Sequence, residues 1–214
     1  MSEDLDIVVL FPRHLNLNGD LANAGVLAKR AGWSGIDVAV TLIDFDDEMP
    51  ESTDLIILGH GSTNAWSQIA AEGSKQLTWL YAQIDRDVPV LSVASGYEFL
   101  ARRGCFGGDL ATLTAVNGER RSEFAVFEAD LFGVRRETLG YLNSQSQLPL
   151  VAQNGSLLGT LLHGPFLAKN PEVADQLLAK LSANTLAPGS EQSLTQLRRV
   201  GSLVEQIWKL ERPA

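Results

Sequence analysis

A mostly parallel α/β sheet is the fold this sequence predicts, on three observations. Four short apolar runs in the first half read as buried strands. Stretches with helical spacing lie between them. The runs are nearly continuous rather than alternating. Strands of that kind are covered on both faces, which a parallel sheet with helices on either side provides.

Leu5 to Phe11 (LDIVVLF) is the first strand. Asn18-Gly19-Asp20 breaks the chain, and Leu21 to Ala31 reads as a helix. Ile36 to Phe45 is a second strand with partial alternation. Asp54 to Leu58 (DLIIL) is a third, ending on Gly59-His60-Gly61-Ser62-Thr63. Apolar residues at Trp66, Ile69, Ala70, Leu77, Leu80 and Ile84 have the spacing of one amphipathic helix from Ala65 to Ile84. Val88 to Val93 is the fourth strand, and Gly96 to Arg103 a short helix.

The second half reads differently. Phe124 to Phe132, Gly133 to Leu142, Leu148 to Ala152 and Ser156 to Leu162 are expected strands, antiparallel at the sheet edge. Pro171 to Leu181 is a helix, with Asn170 as N-cap, Pro171 at the first position and Glu172 in the first turn. Asn184 to Gly189 is an expected loop, and Ser190 to Leu210 a helix capped by Ser190. No internal repeat and no linker interrupts the pattern, so residues 1–214 are expected to form one domain.

Composition narrows the function classes. Hydrophobic residues make up 45% of the 214, enough for a sizeable core. No apolar run approaches the roughly 18–20 residues that span a bilayer. The acidic start Met1-Ser2-Glu3-Asp4 lacks the basic region of a signal peptide, so a soluble cytoplasmic protein without membrane insertion is expected. A net charge of −9 argues against nucleic acid as a partner, since phosphate binding needs clustered Lys and Arg. One cysteine, Cys105, excludes an internal disulfide, and with three histidines it forms no visible zinc cluster. No metal or nucleotide cofactor is expected.

Ligands of open α/β sheets sit at the carboxyl ends of the strands. Four loops qualify: Pro12 to Asp20, Gly59 to Thr63, Ala94 to Tyr97, and the stretch that opens with His163-Gly164-Pro165. The third is a sharp strand-to-helix turn, a place that often presents a nucleophile, and its tip is Ala94. A nucleophile there, a histidine base at His163 and backbone N–H groups from Gly59, His60 and Gly61 would make an acyl-transfer site. On spacing alone a hydrogen-bonded loop histidine competes for His163, and a simple turn for Gly59–Gly61. His14 reads as a partly exposed loop residue, Cys105 as a buried structural thiol. Arg120-Arg121 and Arg135-Arg136 read as solvated strand ends.

The stretch "FPRHLNLNGDLANAGVLAKRAGWSGIDV" resembles the opening of the GatD-type glutamine amidotransferases, relatives of the cobyric acid synthase and cobyrinate diamide synthase amidotransferase domains. Pro12, Leu15, Asn16, Leu17, Gly19, Asp20, Asn23, Leu27, Arg30, Trp33, Gly35 and Ile36 fit that pattern. "GTLLHGPFLAKNPEVADQLL", from Gly159 to Leu178, resembles the segment that carries the family's catalytic histidine, which falls on His163. The resemblance implies a flavodoxin-like class I glutamine amidotransferase fold: a mostly parallel central sheet, helices on both faces and antiparallel edge strands. It implies L-glutamine as substrate and a MurT-like Mur-ligase subunit as partner in a heterodimer. That pair amidates the D-glutamate of the peptidoglycan stem peptide on lipid II.

The match fails at the nucleophile. Aligning Gly96-Tyr97 with the family's elbow sets Ala94 where the cysteine belongs and Ser95 where the next glycine belongs. A methyl group cannot attack a carbonyl. Ser95, one residue along, should point elsewhere on so tight a turn, and it is grouped with Gly59, His60 and Gly61 as a substrate contact. Gly59-His60-Gly61-Ser62-Thr63 also departs from the family's glycine loop. Within Gly140 to Gln147 only Gly140, Tyr141 and Asn143 match. The family's arginine falls on Arg120 or Arg121, with Arg121 the chosen register. Two readings follow: a glutaminase subunit whose nucleophile position has been replaced, or a glutaminase-like protein that binds a partner or a small amide without hydrolysing it.

Overall fold

The computed structural model describes residues 4–113, 117–182 and 188–213. Its main sheet joins β1 (Asp4–Leu10), β2 (Asp37–Ile43), β3 (Leu55–Leu58), β4 (Val90–Val93), β7 (Val151–Asn154) and β8 (Leu157–Thr160). The order is β2-β1-β3-β4-β8-β7. Every pairing is parallel except β7 with β8. All four residues of β3, β4 and β8 are buried, so side chains on both faces are covered. The crossovers use α1 (Ala22–Trp33), α2 (Thr63–Glu72), α3 (Ser74–Asp85) and α4 (Ser95–Arg102).

A second, three-stranded sheet has the order β5-β6-β9, built from β5 (Asn117–Leu131), β6 (Val134–Ser146) and β9 (Leu162–His163). Here the sequence-based expectation needs correction. The long hairpin is not an edge of the main sheet, and Leu157–Thr160 runs parallel to β4 inside that sheet. The expected strand Ser156–Leu162 is two strands in different sheets. The chain changes sheet at Leu161, whose N–H bonds Leu150 O, while the Thr160 hydroxyl takes the Leu162 N–H. An unbroken apolar run conceals such a crossing, because all its residues stay buried in either sheet.

The long helix expected from Ala65 to Ile84 is two helices with Gly73 at the joint. A Cβ on Gly73 would stand 2.8 Å from Ile69 O and 2.9 Å from the Phe11 ring. The helical period continues across the break, which is why periodicity alone missed it. A short helix, α5 (Gly108–Leu113), was not expected. The remaining helices are α6 (Phe166–Lys169), α7 (Pro171–Leu181) and α8 (Glu191–Glu211). Ser190 caps α8 through Ser193 N–H. Asn170 does not cap α7 with its side chain; its amide bridges Leu139 N–H and O and Phe166 O instead. The expected loop Asn184–Gly189 falls mostly outside the described residues.

Several bonds lock the layers near the strand ends. Arg30 of α1 grips Asp175 of α7 with two hydrogen bonds of 2.6 Å. Asn23 of α1, fully buried, accepts the Leu167 N–H just beyond His163. Tyr97 of α4, also fully buried, lies over Gly159 of β8, where a Cβ would overlap its ring. We therefore expect Gly159→Ala to lower stability by about 1–3 kcal/mol through overpacking. Urea unfolding should show it as a lower midpoint at unchanged slope.

Candidate active site

Three loops meet at the carboxyl ends of β1, β3 and β4, and the segment leaving β8 joins them. At the end of β4 the backbone of Ala94 takes φ 46° and ψ −109°, a left-handed strand-to-helix turn. Such a conformation at a residue with a Cβ costs on the order of 1–3 kcal/mol. Its surroundings hold it. Ala94 N–H bonds Thr160 O at 2.6 Å, and Ala94 O accepts the Glu98 N–H at 2.8 Å. Gly96 lies so close under β3 that a Cβ would stand 2.6 Å from Leu58 O and 2.8 Å from Gly59 O. The backbone thus has the shape of a nucleophile elbow, with only a methyl at its tip.

The glycine loop approaches from the other side. A Cβ on Gly59 would overlap Leu15 O, and one on Gly61 would stand 2.6 Å from His14 O. His60, between them, points its Nδ1 at Ser95, 3.0 Å from Oγ and 3.3 Å from the backbone N. Because the Ser95 N–H donates to Nδ1, the proton of the neutral ring sits on Nε2. The Ser95 hydroxyl also accepts from Gly61 N–H at 2.9 Å and from the Trp66 indole N–H at 2.7 Å. Gly61 O lies 3.2 Å from it. The Trp66 ring stacks on Phe99 of α4 at 4.6 Å.

His163 sits at the end of β9, paired in register with Tyr141. Its ring packs edge-on against that of His60, centroids 5.1 Å apart. Asn18 Nδ2 lies 2.9 Å from His163 Nδ1, and the Asp20 carboxylate lies 4.0 Å from it. Asp20 is fully buried; one oxygen accepts the His60 N–H at 2.8 Å, and the other faces the His163 side. Ala94 and His163 are each only 3% exposed.

The electrostatics follow from burial. Desolvation pushes the His60 imidazole below its ordinary value; nearby His163 adds to this and Asp20 opposes it. Desolvation raises Glu98 of α4, against the Ser144 hydroxyl that donates to it and against Arg102 and His163. Burial likewise raises the Cys105 thiol, which makes it a poor nucleophile.

Of the residues singled out in the sequence, Gly59, His60, Gly61, Ser95 and His163 come together around the Ala94 turn. Arg121 is half-exposed on β5, with its guanidinium on Glu123 at 3.0 Å. Its register partner is Ser144, which reaches Glu98, whereas Arg120 bonds Asn143 on the opposite face. The His14 side chain is engaged elsewhere, with Asp44 and the Phe45 ring, while its carbonyl backs onto Gly61. Sequence reading passed over Asp20, Asn18, Trp66 and Glu98 as site residues. The Asn18-Gly19-Asp20 turn carried a signal, polar residues in a loop after β1. Trp66 gave none, since it fitted the apolar stripe of a helix.

No protein-family model matches the chain. It is 29% identical over 204 residues to the GatD subunit of the glutamine-hydrolysing lipid II isoglutaminyl synthase of Staphylococcus aureus, covering 83% of this chain and 84% of that one. Among solved structures, a glutamine amidotransferase from Thermotoga maritima aligns over 98% of this chain and 99% of its own, with a TM-score of 0.50 and 15% identity. The glutaminase domain of the Trypanosoma brucei CTPS, solved with bound acivicin, aligns over 88% and 98%, with a TM-score of 0.52 and 10% identity. The fold is that of the class I glutamine amidotransferases.

A histidine whose folded form resists protonation costs stability once the unfolded chain takes the proton up. For His60 that cost is absent well above its ordinary value of 6.5 and grows as pH falls through it. Glu98 acts in the opposite sense, since its burial cost is relieved on acidification. We expect thermal melts of His60→Gln to fall less between about pH 7.5 and 5 than those of the unmutated chain. A parallel decline in both would contradict this.

Proposed function

We propose that this chain is the glutaminase-like subunit of a two-subunit synthetase, and that it binds its partner without hydrolysing glutamine. The observation that carries the proposal is the elbow: a strained turn of the catalytic shape whose tip holds the Ala94 methyl. With no thiol, hydroxyl or amine there, no covalent intermediate with an amide substrate can form at that position. His163 keeps the place of a general acid and base, with Asp20 and Asn18 at its Nδ1 side. Gly59, His60, Gly61, Ser95 and Arg121 are the candidate contacts to a bound amide.

Similarity to a protein named as a subunit supports the two-subunit reading. The partner we propose is a MurT-like Mur ligase that amidates the D-glutamate of lipid II, working in the cytoplasm with this chain as a single domain of residues 1–214. ATP would be used by that partner. This chain needs no metal or cofactor for the role. It would supply a folded surface to the ligase and a cleft able to hold L-glutamine or a similar small amide.

Co-expression with a MurT-like ligase tests this. We expect the two chains to co-purify through size exclusion and the purified pair to release no ammonia from L-glutamine. Failure to associate, or ammonia above the rate of the ligase alone, would overturn the proposal.

A further inference from the structure

An anionic tetrahedral intermediate at an elbow is stabilised by two kinds of donor: the N–H of the residue after the nucleophile, and N–H groups of a neighbouring strand-end loop. In this chain these are the N–H of Ser95 and those of the Gly59–Gly61 loop. Three of them already have partners inside the protein. Ser95 N–H is on His60 Nδ1 at 3.3 Å, and His60 N–H is on Asp20 Oδ2 at 2.8 Å. Gly61 N–H is on Ser95 Oγ at 2.9 Å. The same hydroxyl also holds the Trp66 indole at 2.7 Å and so anchors a large ring beside the turn.

Ser95 is the hub of this arrangement. Its oxygen has two acceptor positions. The Gly61 N–H and the Trp66 N–H fill both, and its own proton goes to His60 Nδ1 or Gly61 O. Glycine in its place, which is what the GatD-type elbow pattern has, would leave Gly61 N–H and the indole without this partner.

We infer that glutamine hydrolysis is blocked twice in this chain, by the missing thiol at Ala94 and by the Ser95 hydroxyl, which keeps the Gly61 oxyanion donor engaged and Trp66 fastened. The inference rests on the glutaminase-like reading of the cleft and deepens it: returning a thiol alone does not restore turnover. In a restored site the thiolate would attack the side-chain carbonyl carbon of glutamine. The C–N bond then breaks, and the nitrogen leaves as ammonia with a proton from His163. Water cleaves the resulting thioester to glutamate and returns the thiol. Ser95 is a positioning residue here, since it acts through the donors it occupies.

The experiment compares Ala94→Cys with Ala94→Cys/Ser95→Gly and Ala94→Cys/Ser95→Ala, with ammonia release from L-glutamine as the readout. One oxyanion donor is worth about 10²–10³ in kcat. We expect Ala94→Cys to stay near background and both double variants to gain at least about tenfold in kcat, with KM little changed. A purely structural role for Ser95 cannot produce that gain. The Trp66 indole N–H resonance should move in both double variants and not in Ala94→Cys. Melting curves and alkylation of the thiol at position 94, mapped by mass spectrometry, confirm that each variant is folded and has a reachable sulfur. Turnover by Ala94→Cys within about threefold of the doubles would overturn the inference. So would silence of folded, alkylatable doubles. Partner capture is scored separately, so loss of the ligase interaction counts against the proposed function and not against the double block.

Discussion

Three backbone segments converge at the carboxyl ends of the strands at distances that leave no room for side-chain carbon. Gly59 lies on Leu15 O, Gly61 on His14 O, and Gly96 on the carbonyls of Leu58 and Gly59. Everything at the cleft follows from that contact. It brings the loop after β1 within reach of His60 and His163, through Asp20 and Asn18. It also draws the first turn of α4 against β3, which sets the direction of Ser95. A methyl at Gly59 or Gly96 would press first on main-chain oxygens rather than on a flexible side chain, so the constraint has little give there.

The left-handed turn at Ala94 is sustained by this packing rather than by its own preference. Its hydrogen bonds to Thr160 and Glu98 and the close seat of Gly96 together outweigh the local strain. The polar groups around it are satisfied mostly by one another. Ser95, His60, Gly61 and Trp66 form a closed set of bonds, with Asp20 beneath, and the interior raises the worth of each bond and the cost of breaking one. A cleft so arranged is preorganised for its own internal contacts.

Much of the fold was legible because burial leaves a direct trace in composition. The four apolar runs became β1 to β4, in parallel pairing, and Pro171 marked the start of α7 within the residue. Glycines and His163 at strand ends pointed to the cleft because strand-end loops are where open α/β sheets bind ligands. What stayed hidden depends on partners far along the chain. Asp20 becomes a site residue only because His60, forty positions later, donates to it. Trp66 looks like core until its indole is seen on Ser95. The change of sheet at Leu161 has no sequence signature, since both sides are equally apolar. The aromatic and acidic residues that reach the cleft from α2 and α4 likewise carry their meaning in direction, which composition does not record.

That crossing at Leu161 divides the two halves of the cleft between two sheets. The elbow belongs to the six-stranded sheet, while the imidazole of His163 hangs from the long hairpin through its pairing with Tyr141. The outer end of that hairpin is itself fastened to the larger sheet, where Phe132 N–H donates to Gln153 Oε1 of β7 at 2.7 Å. Ring and turn therefore keep their register through two separate anchors, one at Leu161 and one at the hairpin tip.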